Sequence, residues 1–124
     1  MNKLNIAIAG TGFGAAVHLP ALQNSKNFVP TSFFHHNKNK TNEIEKKYGL
    51  KCYCDWDELI TNKDIDGIII ATPPHSRFEL AMKALRNNKH LLLEKPVAIT
   101  SNEIKELQRI SLEKNLSVCV DFEY

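Results

Sequence analysis

Gly67-Ile68-Ile69-Ile70-Ala71 is apolar at every position and shows no alternation with polar residues. A strand of that kind offers no face to water, so it belongs in the middle of a parallel sheet covered by helices on both sides. The rest of the chain supplies the neighbours such a strand needs. Residues 4–9 read as a strand closed by a glycine-rich turn, and a helix follows over 15–24, with Pro20 set to kink it or reset its start. A second strand runs over 29–34, with Pro30 near its beginning, where a missing N–H is tolerable. Asn37 can cap a helix that runs to Tyr48, and Gly49 then supplies the left-handed position after it. Residues 51–54 form a short strand, and Asp55-Trp56-Asp57-Glu58 has the spacing that opens a short helix.

Beyond the central strand, Pro74–Arg86 carries Phe78, Ala81, Met82 and Leu85 at helical spacing. Leu91-Leu92-Leu93 is the next strand. Thr100 and Glu103 make a capping box before a helix ending near Asn115, and residues 116–122 form a last strand. Six strands joined by helical crossovers predict an α/β fold, a doubly wound six-stranded parallel sheet forming one domain over residues 1–124.

Composition narrows the function classes. A chain of 124 residues with 43% hydrophobic and 24% charged residues is an ordinary globular domain that can build a core without disulfide or metal staples. Its net charge of +2 and its three arginines, Arg77, Arg86 and Arg109, give no phosphate-gripping surface for nucleic acid. The three cysteines, Cys52, Cys54 and Cys119, are an odd number and read as free thiols in a reducing compartment. Lys3 ahead of an apolar run imitates a signal peptide, but Asn5, Thr11 and three closely spaced glycines interrupt that run. No stretch approaches the roughly 20 apolar residues of a membrane span, so a cytoplasmic location is expected.

Gly10-Thr11-Gly12-Phe13-Gly14-Ala15 lies where the first strand meets the first helix. It fits the dinucleotide fingerprint of Rossmann-type folds. The first glycine permits a tight turn, the second lets backbone approach a pyrophosphate, and the third small residue, Ala15, lets helix pack on strand. The helix start then aims N–H groups at the phosphates. No Gly-Lys-Ser/Thr follows, which excludes a Walker loop.

An acidic residue at the end of the second strand would hold the ribose 2′-hydroxyl of NAD. This chain has His35-His36-Asn37-Lys38-Asn39-Lys40 there, with no carboxylate. A 2′-phosphate would meet no repulsion and would be attracted by Lys38 or Lys40, so NADP is favoured over NAD; solvated loop lysines are the alternative. A metal pair of His35 and His36 is not expected, since adjacent strand residues point to opposite faces.

Ala71-Thr72-Pro73-Pro74-His75 ends the fourth strand beside the first, where ligands of this architecture bind. His75 either faces that pocket or caps the next helix. Glu94-Lys95-Pro96 ends the fifth strand. A lysine there can stabilise the alkoxide that develops during hydride transfer, with Glu94 orienting it, or it is a surface lysine before a helix-starting proline. Cys52 and Cys54 are assigned to core packing on one face of a strand, Trp56 to packing of its short helix, and His18 and His90 lack partners at metal-ligand spacing.

Taken together, these strings resemble the glucose–fructose oxidoreductase / inositol dehydrogenase / rhizopine-catabolism (Gfo/Idh/MocA) family. The resemblance rests on Ile8 to Gly14 with His18-Leu19-Pro20-Ala21-Leu22, on Asp66 to His75, and on Glu94-Lys95-Pro96, in order and across essentially the whole chain. It implies an NAD(P)-dependent oxidoreductase acting on a sugar, inositol or related polyol. The glycine turn would bind the pyrophosphate, Thr72, Pro73 and His75 would flank the nicotinamide, and Lys95 would contact the reacting hydroxyl. It further implies a second α/β domain, beginning just after Tyr124, that supplies the substrate wall and a homo-oligomer interface. Three positions depart from the family pattern: Arg77 in place of a second histidine, Glu123 in place of asparagine, and His35 in place of the aspartate of NAD-preferring relatives. The rival to a cofactor-binding half of an enzyme is a non-catalytic dinucleotide-binding module, a sensor or structural subunit.

Overall fold

The computed structural model describes residues 3–12, 14–95 and 100–121. Its strands are β1 (Leu4–Ala9), β2 (Phe28–Phe34), β3 (Lys51–Tyr53), β4 (Gly67–Ile70), β5 (His90–Glu94) and β6 (Val118–Asp121). They pair in parallel, in the order β3-β2-β1-β4-β5-β6. The helices are α1 (Leu19–Gln23), α2 (Thr41–Tyr48), α3 (Trp56–Ile60), α4 (Pro74–Arg86) and α5 (Ser101–Glu113). The strand order reverses direction between β1 and β4, which opens a crevice at their carboxyl ends.

Residues of opposite parity on each strand feed two separate cores. Ala7, Ala9, Ile68, Ile70 and Leu93 pack with Trp56, Leu59, Met82, Leu85 and Leu107 from α3, α4 and α5. Ile6, Ile8, Phe33 and Ile69 pack with Ala15, Leu19, Leu22 and Ile44 on the other face. All four residues of β4 are buried, as its unbroken apolar run requires. Each of its isoleucines contributes about 1.5–3 kcal/mol by leaving water.

Local signals set most of the helix ends. The Thr100 hydroxyl accepts from the Glu103 N–H while Glu103 accepts from the Thr100 N–H, so the capping box before α5 is complete. Gly49 takes φ +71° and donates to the Glu45 carbonyl, ending α2 as expected. Asn37 caps a single 3-10 turn over Lys38–Lys40, and α2 proper begins only at Thr41. Two prolines reshape their elements. Pro20 has no N–H for the carbonyl of residue 16, and its ring crowds that oxygen. The turn before it, Gly14–His18, is wound as a wider π-turn and α1 starts at Leu19, so the helix expected over 15–24 is split. Pro30 pairs with Ile6 immediately before a register shift in the β1–β2 ladder, and the Thr31 hydroxyl donates to the Ile6 carbonyl at 3.4 Å.

Two further features depart from the sequence expectations. Strand β3 stops at Tyr53, so Cys52 is buried but Cys54 lies past the strand end and is exposed instead of sharing the core. Lys89, which carried no sequence signal, is buried and donates from Nζ to the carbonyls of Asn62 at 2.7 Å and Ile65 at 2.5 Å. Those bonds tie the end of β4's approach loop to the turn before β5. Trp56 packs as expected, edge-on to Phe34, with its Nε1–H on the Leu80 carbonyl. No described helix is long and apolar enough to cross a membrane.

Candidate functional site

The carboxyl ends of β1, β2 and β4 enclose a cleft of about 210 Å³, lined by Gly10, Thr11, Gly12, Phe34, His35, His36, Ala71, Thr72 and Pro73. Eight of these nine positions are ones the sequence singled out; Phe34, the last residue of β2, is the addition. A roomier groove of about 400 Å³ runs along the amino-terminal halves of the strands, walled by residues such as Leu4, Ile6, Leu22 and Phe28. Among the described residues its wall is mostly hydrocarbon, with Asp66, His90 and Ser117 as its polar members and no glycine-turn amides for a phosphate, so the smaller cleft is the better ligand site.

The two glycines in the cleft are required for different reasons. Gly10 holds φ +115°, and a Cβ there would stand 2.8 Å from the Ala71 carbonyl oxygen and 3.0 Å from its carbon. The turn between β1 and the next helix can therefore pass beneath the β4 loop only as glycine. Among the described residues, a Cβ on Gly12 would meet no atom within 4 Å beyond its chain neighbours. Packing does not demand glycine there; the bare backbone faces open space, which is the room a pyrophosphate needs for close approach. Ala15, the third small position, is buried against Leu19, Leu22 and Ile8 and lets the helical segment sit down on the sheet. The Ala16 N–H donates to the Gly12 carbonyl at 3.1 Å, which takes it out of any phosphate cradle. Phe13 lies outside the described residues.

At the end of β2 the two histidines do not diverge as strand neighbours would. They stand past the last paired residue, Phe34, and their rings stack at 4.7 Å. The His35 Nδ1 accepts from the Asn37 N–H at 3.0 Å, so in the neutral ring the proton sits on Nε2 and remains available as a donor. Burial, then the neighbouring His36 and Lys40, hold His35 below its ordinary pKa. Lys38 and Lys40 are exposed and outside the cleft wall, although Lys40 stands near enough for its charge to act on His35. Among the described residues, no three His, Cys, Asp or Glu side chains converge as a metal site.

The ends of β4 and β5 are bound together by a residue whose sequence reading was incomplete. Arg77, on the first turns of α4, is only 4% exposed. Its guanidinium donates to the Glu94 carbonyl at 2.5 Å and to the Thr72 carbonyl. Burial lowers its pKa and the Glu94 carboxylate opposes that shift. Two backbone oxygens at the ends of β4 and β5 thus engage its guanidinium, and the side chain is not among the residues that line the cleft.

His18 likewise has a partner that its sequence spacing concealed. Its Nε2 lies 2.6 Å from Glu94 Oε1, with side-chain exposures of 8% and 12%. Glu94 is therefore engaged by His18 at Oε1, a partner the sequence did not offer. Lys95 itself follows directly on β5 and is exposed. His75 is exposed on α4 and does not line the cleft; the helix is capped at Pro73 without a side-chain bond. Pro96 and Glu123 lie outside the described residues.

With this geometry in place, known proteins give the chain its relatives. Residues 4–122 match the Gfo/Idh/MocA family, described as an oxidoreductase family with an NAD-binding Rossmann fold. An uncharacterized oxidoreductase of Synechocystis is 36% identical over 98% of this chain and 33% of its own length. The levoglucosan dehydrogenase of Pseudarthrobacter phenanthrenivorans is 30% identical over 100% of this chain and 34% of its own. Among solved structures, the Synechocystis biliverdin reductase in complex with biliverdin and NADP+ superposes with a TM-score of 0.89 at 28% identity, over 97% of this chain and 38% of that one. The chain thus spans about a third of the length of these relatives. It belongs to the Gfo/Idh/MocA oxidoreductase family and is an NAD-binding Rossmann domain.

Proposed function

From that membership, we propose that this chain is the cofactor-binding part of an NAD(P)-dependent oxidoreductase that moves a hydride to or from a sugar, inositol or related polyol. The observation that carries the proposal is the pair of glycines: Gly10, which cannot bear a side chain, and Gly12, whose bare backbone opens on the cleft at the β1–β4 switch point. Gly10, Thr11, Gly12, Phe13 and Gly14 hold the pyrophosphate in this reading. His35 through its Nε2–H, with His36 and Lys40, faces the adenosine ribose. The absence of a carboxylate between His35 and Lys40 supports NADP over NAD. Ala71, Thr72 and Pro73 flank the nicotinamide from the cleft wall, with His75 exposed outside that wall at the start of α4, and Glu94, Lys95 and Pro96 close that side.

The bound nicotinamide supplies or accepts the hydride. Lys95 is the catalytic residue of this reading, its ammonium placed against the substrate oxygen where negative charge develops. The substrate class is supported by the levoglucosan dehydrogenase relative, while the biliverdin reductase carries the same fold with a different second ligand. Substrate contacts and a homo-oligomer interface are assigned in this reading to polypeptide outside this domain; the relatives it matches are about three times its length.

The experiment is a titration of the isotope-labelled chain with NADPH and then NADH, following backbone amides. Shifts centred on Gly10 and Gly12, saturating first with NADPH, are expected. A chain whose Gly10 and Gly12 amides respond to neither nucleotide refutes dinucleotide binding. In a catalytically competent polypeptide carrying this domain, Lys95→Ala should remove most turnover and keep cofactor affinity; unchanged turnover refutes the role of Lys95.

A further inference from the structure

The geometry points to His18 as a positioning residue for Lys95, acting through Glu94; the inference rests on the role proposed for Lys95 above. Glu94 is the last residue of β5 and Lys95 follows it directly, so whatever fixes Glu94 sets the point from which the Lys95 side chain departs. Two groups from different elements hold Glu94. Arg77, from α4, donates to its carbonyl and to that of Thr72, which fixes the backbone of β5 against the β4 loop. His18 takes the side chain, Nε2 to Oε1 at 2.6 Å. With the imidazole Nε2–H as donor and the carboxylate oxygen as acceptor, the pair makes a charge-assisted bond. Both side chains are nearly excluded from water, where a short bond of this kind is strong and costly to break.

The position of His18 gives this bond its consequence. It closes the π-turn Gly14–His18, the segment that begins at the glycine loop and in which Ala16 is hydrogen-bonded back to Gly12. The bond therefore joins the segment that would receive the pyrophosphate to the strand end that carries Lys95. A nucleotide seated at Gly10 and Gly12 holds His18 in place, and His18 holds Glu94 and with it Lys95. Pro20 contributes by forcing the wide turn that ends at His18. A solely structural histidine would have no reason to act on the nicotinamide end of the cleft while leaving the pyrophosphate end alone.

The test uses this chain with NADPH as the probe and reads the two ends of the nucleotide separately. The amide shifts of Gly10 and Gly12 report the pyrophosphate end, and reduced-nicotinamide fluorescence reports the other. His18→Leu is expected to bind NADPH within about twofold of the parent affinity. It should nonetheless lose roughly half or more of the fluorescence change, as should Lys95→Ala, and adding His18→Leu to Lys95→Ala should then change nothing further. His18→Gln, whose Nε2–H can reach Oε1, should restore most of the signal. If His18→Leu leaves Glu94 buried without its donor and does not fold, His18→Asn, a polar but shorter side chain that falls short of Oε1, carries the same expectation. A full fluorescence change without His18, or a further loss when His18→Leu is added to Lys95→Ala, overturns the positioning role and leaves the proposed function standing. If Lys95→Ala keeps the full change, or NADPH moves neither Gly10 nor Gly12, the underlying reading fails and takes this inference with it.

Discussion

Gly10 and Gly12 sit two residues apart in one loop, and replacing each by alanine should give opposite results. Alanine at position 10 must adopt φ +115°, a conformation that costs an L-residue about 1–3 kcal/mol. Its Cβ would also stand 2.8 Å from the Ala71 oxygen and 3.0 Å from the Ala71 carbon. Those are backbone atoms held by the Ala71 N–H bond to Ala9 at 2.8 Å, so they cannot swing aside as a flexible side chain would. Relieving such crowding costs about a further 1–3 kcal/mol. The sum is roughly 2–6 kcal/mol, a large part of the roughly 5–15 kcal/mol that stabilises a domain of this kind. For a chain of this size it corresponds to a fall in Tm of roughly 10–20 °C. Among the described residues, alanine at position 12 meets no atom within 4 Å beyond its chain neighbours, so stability should change by less than about 0.5 kcal/mol. Its methyl group would, however, occupy the space that the proposed function assigns to the pyrophosphate, and NADPH affinity should fall about tenfold or more. Urea unfolding followed by circular dichroism, with NADPH titrations on the folded fraction, reads both quantities. Gly10→Ala within about 0.5 kcal/mol of the parent would refute the packing argument. Gly12→Ala as destabilised as Gly10→Ala, or binding NADPH normally, would refute the assignment of open space to the ligand.

Replacing Arg77 with Met leaves the Thr72 and Glu94 carbonyls short of a donor in a buried place, and should cost about 2–4 kcal/mol in urea unfolding. Arg77→Lys should recover less than half of that, because one ammonium cannot reproduce the guanidinium fork; full recovery would show that charge alone matters. Burial, followed by Glu45 and Cys54, pushes the Cys52 thiol up to about 11. In native protein at about pH 8, Cys54 and Cys119 should react with a disulfide reagent while Cys52 waits for unfolding, and three equally fast thiols would contradict this. His35 is neutral above its lowered pKa, and a nearby 2′-phosphate would draw a proton onto it. NADPH affinity should therefore rise as pH falls from about 8 toward 6.5, by up to about tenfold for each unit that the bound pKa is raised, while NADH affinity stays level. An NADPH/NADH ratio that is flat over this range would remove His35 from the phosphate site.

Features that depend on near neighbours in the chain were legible before any coordinates. The apolar run at Gly67–Ile70 announced a strand buried on both faces, and it is one. The spacing of Phe78, Ala81, Met82 and Leu85 marked α4 to the residue, and Thr100 with Glu103 marked the start of α5. The glycine pattern located the turn into which the cleft opens: Gly10 meets a backbone and packing requirement, while Gly12 leaves open space at the cleft. Misreadings arose where a partner element decided the outcome. Strand β3 ends at Tyr53 because β2 offers it only Ser32, Phe33 and Phe34 to pair with, and Cys54 is exposed in consequence. His35 and His36 stack just past Phe34, the last residue of β2 to pair with β1, while the His35 N–H still donates to the Tyr53 carbonyl of β3 at 2.9 Å.

Periodicity, caps and turn chemistry act over a few residues, and by themselves they determined the six strands, the parallel class and the place of the glycine turn. Only the tertiary structure decided that His18 meets Glu94, 76 residues away, and that Arg77 spans the ends of β4 and β5. Those meetings depend on β1 lying beside β4 and β4 beside β5. That order is set by the competition of all strands for neighbours and burial, a property of the whole sheet that no local spacing in the chain records.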